Sequence, residues 1–186
     1  MTEINGFSSE DECRLVIQAY ERCRASRSHR VGDGFFDYRV LWINSFPDSE
    51  NETRRILQRW RRRAVDFISG YVGQQVYSDT IQVVSWNGPA MPPHQDDRHP
   101  DGRPHKTPWR EWASVIYLNS DFDGGELYFP DASDLSIYKP VTGSLVFFEG
   151  WRWHGVHAVT QGVRYTSPGW YSRDPLHEDI YAKIEY

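Results

Sequence analysis

The sequence predicts a mainly β protein in which two N-terminal helices brace one face of a mostly antiparallel, double-layered β core. Apolar residues recur at helical spacing in the first 74 positions, whereas short β-branched and aromatic segments separated by Gly, Pro, Asn and Asp fill the rest. Strands at this spacing are typical of a sandwich, barrel or jelly roll. The 186 residues suit one domain with a sizeable core.

Two helices are predicted ahead of the β region. Ser8-Ser9 followed by Glu-Asp-Glu is typical of a helix N-terminus, and the apolar spacing that follows predicts a helix over 9–24. A longer helix is predicted from Asn51 to about Tyr71, with a short strand, Phe36–Ile43, between the two. The arginines of the longer helix, at positions 54–63, are interpreted as its solvated face.

Seven strands are predicted after residue 74. They are Thr80–Trp86, Ala113–Asn119, Glu126–Phe129, Leu135–Tyr138, Ser144–Phe148, Val156–Thr160 and Arg164–Trp170. The expected organisation is a single domain over 1–186. It consists of a helical support region with a first strand over 1–74, the β core over 75–173 and a C-terminal tail over 174–186.

Composition narrows the class of protein. The chain carries 21 Lys+Arg against 26 Asp+Glu, a net charge of −5, so it lacks the basic footprint typical of a duplex-binding protein, and no nucleic-acid partner is expected. No apolar run is long enough for a membrane span, and the N-terminus has no apolar signal-peptide core. Cys13 and Cys23 form no CxxC or zinc spacing. We therefore expect a reduced, cytoplasmic compartment.

The strongest chemical motif is His94-Gln95-Asp96. In an extended segment, side chains two residues apart point to the same side, so His94 and Asp96 can bind one ion. His154, which follows the Glu149–Trp153 turn, can supply a second imidazole. Two imidazoles and one carboxylate that leave other positions open suit an Fe(II) ion that activates oxygen. A second His-x-Asp pattern, at His177 and Asp179, is kept as an alternative site.

A carboxylate-binding group follows at a fixed spacing. Arg164 stands ten residues after His154 and can bind a carboxylate through two hydrogen bonds. Thr166 lies two residues further and faces the same way, so its hydroxyl can contribute. Tyr117, in the predicted strand Ala113–Asn119, is another candidate donor. A diacid that chelates a metal at one end would need such a clamp at the other.

Five segments together resemble the prolyl-4-hydroxylase-like branch of the Fe(II)/2-oxoglutarate oxygenases. In chain order, they are His94-x-Asp96, Tyr117-Leu118-Asn119, Asp123-Gly124-Gly125-Glu126-Leu127-x-Phe129-Pro130, Pro140-x-x-Gly143-Ser144-Leu145-Val146-Phe147-Phe148 and His154-x-Val156-x-x-Val159-x-x-Gly162-x-Arg164. Each segment alone is a modest signal, but all five in register are specific.

The resemblance implies a double-stranded β-helix (jelly-roll or cupin-like) core that uses Fe(II), 2-oxoglutarate and O2. It assigns the metal to His94, Asp96 and His154, with His157 kept as the fallback for the last ligand. It also implies that Arg164, helped by Tyr117 or Thr166, holds the far carboxylate of 2-oxoglutarate.

The chain departs from related patterns at three positions. Trp86 stands where the family commonly has a Tyr near the cosubstrate, and it can donate only through its indole N–H. Asp96 is retained, whereas the related halogenases have a small residue there, so halogenation is not expected. Trp170 stands where the nucleic-acid demethylase branch has a second Arg, which disfavours nucleic-acid repair.

The reaction expected from the resemblance is hydroxylation of an unactivated C–H bond, with release of succinate and CO2. A small metabolite is the favoured substrate, and a peptidyl (prolyl-type) residue is the alternative. A non-redox cupin-type metal protein and a sugar- or partner-binding jelly roll are the competing classes. The basic 97–112 loop is a candidate lid, and its basic side chains either contact an anionic substrate or are simply solvated. The candidate substrate residues are Trp86, Arg98, Arg103 and Trp153.

Overall fold

Two helices form the N-terminal support in the computed structural model, which describes residues 1–28, 36–130, 136–184 and 186. Helix α1 spans Glu10–Arg22 and helix α2 spans Asn51–Val72. The start of α1 is fixed by a capping box, in which Ser9 Oγ accepts from the Glu12 amide and Glu12 accepts from the Ser9 amide. Such a cap stabilises a helix by about 1 kcal/mol. Gly73, the residue after α2, caps the helix C-terminus, and its φ of 70° is the left-handed conformation that glycine adopts readily.

The β region consists of short antiparallel strands. The described residues contain thirteen: β1 Thr2–Ile4, β2 Val40–Trp42, β3 Tyr77–Ser78, β4 Gln82–Trp86, β5 Met91–His94, β6 Trp112–Tyr117, β7 Asp123–Gly124, β8 Leu127–Phe129, β9 Ser136–Tyr138, β10 Leu145–Glu149, β11 His154–Val156, β12 Val159–Gln161 and β13 Arg164–Ser172. Both predicted helices and the mainly β class of the remainder are confirmed.

These strands form a large sheet and a smaller one. Within the described ranges, the large sheet has seven strands in the order β1-β10-β6-β13-β4-β2, with β3 also paired to β13. The smaller sheet has the order β5-β11-β8-β9, and β12 pairs with β7 separately. Every described pairing is antiparallel.

The large sheet separates two apolar cores because successive side chains of a strand point to opposite faces. One face packs on the helices, and its core includes Trp60 of α2 together with Ile116 and Phe147 of the sheet. The other face packs on the smaller sheet through Tyr117, Phe148 and neighbouring apolar residues. The space between the two sheets therefore receives the alternate residues of β6, β10 and β13.

Some strand boundaries differ from the predicted ones. The segment Val156–Thr160 was predicted as one strand but divides between β11 and β12, and β11 begins two residues earlier, at His154. Strand β5 was not predicted, because Pro92-Pro93 lack the amide hydrogens of a strand interior and favour an edge position. Leu135, the first residue of one predicted strand, lies outside the described residues.

The interpretation of the α2 arginines as a solvated face is wrong for two of them. Arg54 and Arg61 are buried, at 9% and 8% exposure. Arg61 donates to the Ser78 carbonyl at 2.8 Å, and Arg54 donates to the Phe46 carbonyl and, at 2.9 Å, to Asp48. Arg61 therefore attaches α2 to strand β3, and Arg54 attaches it to the segment that directly precedes the helix.

The C-terminal segment contains two single-turn 3₁₀ helices, Pro175–His177 and Ile180–Lys183. Gln58 of α2 donates to the Tyr181 carbonyl at 3.1 Å, so this segment packs against the helical side of the large sheet. No helix among the described residues is both long enough and apolar enough to cross a membrane.

Candidate metal centre

Two neighbouring strands of the smaller sheet bring the predicted metal ligands together. His94, at the end of β5, is the direct cross-strand partner of His154, at the start of β11, and their ring centroids are 4.4 Å apart. The Asp96 amide donates to the Gly150 carbonyl at 2.8 Å, so the segment after β5 lies against the turn before β11. A pairing between residues 60 positions apart in the sequence thus joins the two halves of the site.

Both imidazoles are oriented by the same kind of hydrogen bond. The Nδ1 atom of His94 is 3.0 Å from the Pro92 carbonyl oxygen, and that of His154 is 2.9 Å from the Arg152 carbonyl oxygen. A carbonyl oxygen can only accept, so each Nδ1 carries the hydrogen. In the neutral imidazole the Nε2 atom then carries the lone pair that binds a metal.

The third ligand is a buried carboxylate. Asp96 is 8% exposed, and its Oδ2 atom lies 3.7 Å from His154 Nε2 without a hydrogen-bond partner among the described residues. One donor atom from each of His94, Asp96 and His154 lies within 4.8 Å of the others. Because a buried carboxylate oxygen without a partner is costly, this arrangement fits a bound divalent cation. Two nitrogens and one oxygen are the donor set suited to Fe(II).

The two alternative ligands lie elsewhere. His157 is on the other face of the smaller sheet, where its ring stacks on Tyr128 at 4.6 Å and its Nδ1 lies 3.3 Å from Glu126. His177 stacks on Trp109 at 4.2 Å, with an interplanar angle of 3°, and contacts Asp174. Within the described part of the chain, three candidate metal ligands come together only at His94, Asp96 and His154.

A buried cationic site lies on the large sheet, facing the smaller one. Arg164 and Thr166 occupy alternate positions of β13, where Arg164 pairs with Trp86 and Thr166 with Tyr117. Arg164 is 7% exposed, and among the described residues no carboxylate forms an ion pair with it and its Nε has no partner. A buried guanidinium without a counter-charge is suited to binding the carboxylate of a ligand.

Tyr117 can add a second donor to this site. Arg164 Nη2 donates to the Tyr117 hydroxyl at 3.4 Å, which leaves the phenolic hydrogen available for another acceptor. Burial raises the pKa of Tyr117 above its usual value, although the neighbouring Arg164 acts in the opposite direction. Tyr117 is therefore a protonated donor at neutral pH. The sequence placed Arg164, Tyr117 and Thr166 in one site, and the structure brings them together.

Trp86 lies beside this site, but its only polar group is engaged locally. The buried indole donates its N–H to the Pro89 carbonyl at 3.0 Å. The guanidinium of Arg39 lies 4.3 Å from the ring centroid of Trp86, and its Nη1 donates to Asn87. Arg39 was not singled out from the sequence, because nothing in its local pattern indicates a contact with residue 86.

The basic loop after Asp96 folds into a small hairpin over residues 97–105. Its backbone is closed by hydrogen bonds from the His99 amide to the Arg103 carbonyl and from the His105 amide to the Asp97 carbonyl. Arg98 pairs with Asp97, and Arg103 pairs with Asp101 at 2.7 Å. Both arginines are exposed, and both charges are balanced within the hairpin. This arrangement weakens the reason for expecting an anionic substrate there.

The remaining candidate substrate residue is Trp153, which directly precedes His154 and is half-buried. Its neighbour in the same turn, Trp151, is 53% exposed. The turn that carries the distal metal ligand therefore presents two indoles, one of them largely at the surface.

A family model agrees with this arrangement. The model for the 2OG-Fe(II) oxygenase superfamily matches residues 81–172, a range that contains His94, Asp96, His154 and Arg164. The chain belongs to the 2OG-Fe(II) oxygenase superfamily. Fe(II) and 2-oxoglutarate are the cofactor and cosubstrate typical of this family, and the residues that could bind them lie within the matched range.

Similarity to curated proteins covers a limited part of the chain. Prolyl 3-hydroxylase 2 from Mus musculus is 35% identical over 77 residues, which are 39% of this chain and 11% of that protein. Prolyl 3-hydroxylase 1 from Homo sapiens is 36% identical over 76 residues, or 38% of this chain and 10% of that protein. The chain thus spans about a tenth of the length of these relatives.

Solved structures match over nearly the whole chain. The 2OG complex of a viral collagen prolyl hydroxylase from Paramecium Bursaria Chlorella virus-1 is 20% identical, with a TM-score of 0.67 and coverage of 93% of this chain and 95% of that one. A prolyl-4-hydroxylase from Pseudomonas putida gives the same identity and TM-score and coverage of 93% and 92%. A Trichoplax adhaerens prolyl hydroxylase bound to a hypoxia inducible factor peptide fragment is 19% identical, with a TM-score of 0.71 and coverage of 92% and 83%. These likenesses confirm the predicted double-stranded β-helix fold.

Proposed function

We propose that this oxygenase is a peptidyl hydroxylase of the prolyl type, acting on a proline within a polypeptide. The observation that carries the proposal is the 35% identity over 77 residues with prolyl 3-hydroxylase 2. The sequence alone favoured a small metabolite over a peptidyl residue. The relatives now favour the alternative interpretation.

The surface beside the metal centre supports a peptide substrate. Trp151 is 53% exposed and lies three residues before His154 in the same turn. Aromatic side chains are the usual contact surface for proline rings, and proline-rich segments dock on grooves lined with them. The balanced charges of the 97–105 hairpin also remove one argument for a small anionic substrate.

Each group of the site has a separate part in the proposed reaction. His94, Asp96 and His154 would hold Fe(II), which with 2-oxoglutarate and O2 supplies the oxidising chemistry. Arg164 and the protonated Tyr117 would bind and orient the far carboxylate of the cosubstrate. Apolar residues between the two sheets keep water away from the metal-binding side chains. Among them is Phe148, whose ring centroid lies 4.6 Å from the ring centroid of His154.

The test is a comparison of peptide and free substrates. The protein would be incubated with Fe(II), 2-oxoglutarate and a library of short peptides with a central proline, and products would be identified by mass spectrometry. We expect one added oxygen atom on proline in a subset of peptides, with stoichiometric release of succinate. The matched control replaces that proline by alanine in each active peptide.

Free L-proline and a panel of free amino acids and small acids form the other arm. Turnover of a free metabolite with none of any peptide would contradict the proposal and restore the small-metabolite interpretation. Asp96→Ala should abolish product in either case, which separates enzymatic hydroxylation from oxidation by free iron.

A further inference from the structure

Gln95 lies between two metal ligands in the sequence, and its side chain contacts the segment that carries the third. The amide Nε2 of Gln95 donates to the carbonyl of Trp151, in the turn before His154. The next amide along the chain, that of Asp96, donates to the Gly150 carbonyl at 2.8 Å. Two adjacent donors therefore bind two adjacent carbonyls, and they join the segments that carry the ligands.

The contacted turn is the part of the chain that orients His154. The imidazole of His154 donates through Nδ1 to the Arg152 carbonyl, one residue after the carbonyl that Gln95 binds. The two acceptors lie in consecutive peptide groups that meet at the Arg152 Cα, so with the acceptor of Gln95 held, only the φ and ψ angles of Arg152 can move the acceptor of His154. Fixing one therefore restricts the other.

The opposite side of the turn is held by backbone contacts. The Gly150 amide donates to the Glu111 carbonyl at 2.8 Å, and a Cβ atom added at Gly150 would lie 2.1 Å from the Arg110 carbonyl oxygen. The turn is thus packed directly against the chain entering β6. On its other side, the turn faces the segment that carries His94 and Asp96. Among the described residues of that segment, Gln95 is the one whose side chain donates a hydrogen bond to the turn.

We propose that Gln95 is a positioning residue for the metal centre, holding the turn 150–153 so that His154 Nε2 faces the same point as His94 and Asp96. Hydrogen bonds that orient metal ligands typically contribute about 10- to 100-fold to metal affinity. The inference concerns the metal site alone, so it does not depend on which substrate the enzyme uses.

Gln95→Met tests this role, because methionine keeps the length and volume of glutamine but cannot donate a hydrogen bond. The matched control is Gln18→Met, on the exposed face of α1. Apoprotein would be titrated with Co(II), and the intensity of the visible ligand-field bands would report affinity and coordination geometry. The thermal midpoint of each apoprotein would be measured in parallel.

We expect the dissociation constant for Co(II) to rise by about tenfold in Gln95→Met, with altered band intensities. Gln18→Met should match the wild type. A purely structural hydrogen bond would lower the apoprotein's thermal midpoint but leave the affinity of the folded protein for Co(II) unchanged. An unchanged affinity in Gln95→Met, repeated in Gln95→Ala, would therefore overturn the proposal.

Discussion

The imidazoles of His94 and His154 are oriented by the same local hydrogen bond: each donates its Nδ1 hydrogen to the carbonyl two residues before it. The two residues are also direct cross-strand partners, so the matching bonds present both Nε2 atoms to a shared space. For His94 the acceptor is the Pro92 carbonyl, and the following Pro93 restricts Pro92 to extended conformations. Ring orientation is therefore set in the protein itself, before a metal binds.

The buried carboxylate should cost stability when no metal is bound. Asp96 Oδ2 is buried without a hydrogen bond among the described residues and faces His154 Nε2 at 3.7 Å. We expect Asp96→Asn to abolish Co(II) binding while raising the apoprotein's free energy of unfolding by about 1 kcal/mol. Urea unfolding of the two apoproteins measures the second effect.

Asp97→Asn is the matched control for that change. Asp97 pairs with Arg98 in the hairpin, and a pair of this kind contributes at most about 1 kcal/mol. Metal binding should persist in this variant, with a small loss of stability. If Asp96→Asn instead destabilised the apoprotein, the carboxylate would have a structural role that its contacts do not account for.

Arg164 should determine the affinity for 2-oxoglutarate without affecting the metal. Loss of a buried charge pair costs about 2–5 kcal/mol, so we expect Arg164→Met to raise the half-saturating concentration of 2-oxoglutarate at least about thirtyfold. Anaerobic titration of the Fe(II) protein, followed by its visible charge-transfer band, measures this concentration. Co(II) affinity should not change. Arg103→Met removes an exposed hairpin cation and should leave both affinities as they are.

Gly124 and Gly102 form a matched pair for the stability of the β core. Both residues have a positive φ, 75° at Gly124 and 82° at Gly102. A Cβ atom added at Gly124 would lie 2.0 Å from the Ala158 carbonyl oxygen, whereas one added at Gly102 would have no atom within 4 Å. Gly102→Ala should cost about 1–2 kcal/mol, the conformational penalty alone. Gly124→Ala should cost at least about 3 kcal/mol, because the backbone at Ala158, just before β12, must also move. Similar losses in the two variants would contradict the close approach.

Stability should fall at alkaline pH because the unfolded chain releases the proton of Tyr171 more readily than the folded protein does. Burial raises the pKa of Tyr171 to about 12, above its unfolded value of about 10. The unfolded chain therefore loses this proton first, and the stabilisation that is complete below pH 10 is lost as the pH rises towards 12. Tyr171 contributes about 1.4 kcal/mol per pH unit in that interval.

Tyr171→Phe removes this contribution and the 2.8 Å hydrogen bond to Ser114. We expect lower stability near neutral pH, by about 1 kcal/mol, and a shallower decline above pH 10. Urea unfolding at a series of alkaline pH values gives both quantities. Parallel curves for the two proteins would show that Tyr171 is not the group that titrates.

The metal triad was accessible from the sequence because its parts are local or follow from strand geometry. His94 and Asp96 are two residues apart in an extended segment, and Arg164 and Thr166 are related in the same way on β13. Such spacing carries information about which side chains share a face. The distal His154 needed the family resemblance, since a spacing of 58 residues from Asp96 alone does not distinguish it from His157.

Features that depend on contacts between distant segments could not be predicted from the sequence. The burial of Arg61 follows from the Ser78 carbonyl, and the role proposed for Gln95 follows from the Trp151 carbonyl. Every residue has a backbone carbonyl, so the identity of the accepting residue does not reveal that its carbonyl is used as an acceptor. The 97–112 loop was identified from the sequence as basic, but the pairing of Arg103 with Asp101 depends on the turn that brings these two side chains together.

The alternation of side chains along β13 has a consequence for insertions and deletions. Arg164 and Thr166 face the ligand site, while Tyr165 packs towards α1, where its ring contacts Tyr20. Removing one residue near the start of this strand would exchange the two sets, so an aromatic ring would enter the site and a guanidinium would meet the helices. A point substitution on β13 changes one face of the strand at a time, whereas a one-residue change of register would disrupt the ligand site and the packing on the helices together.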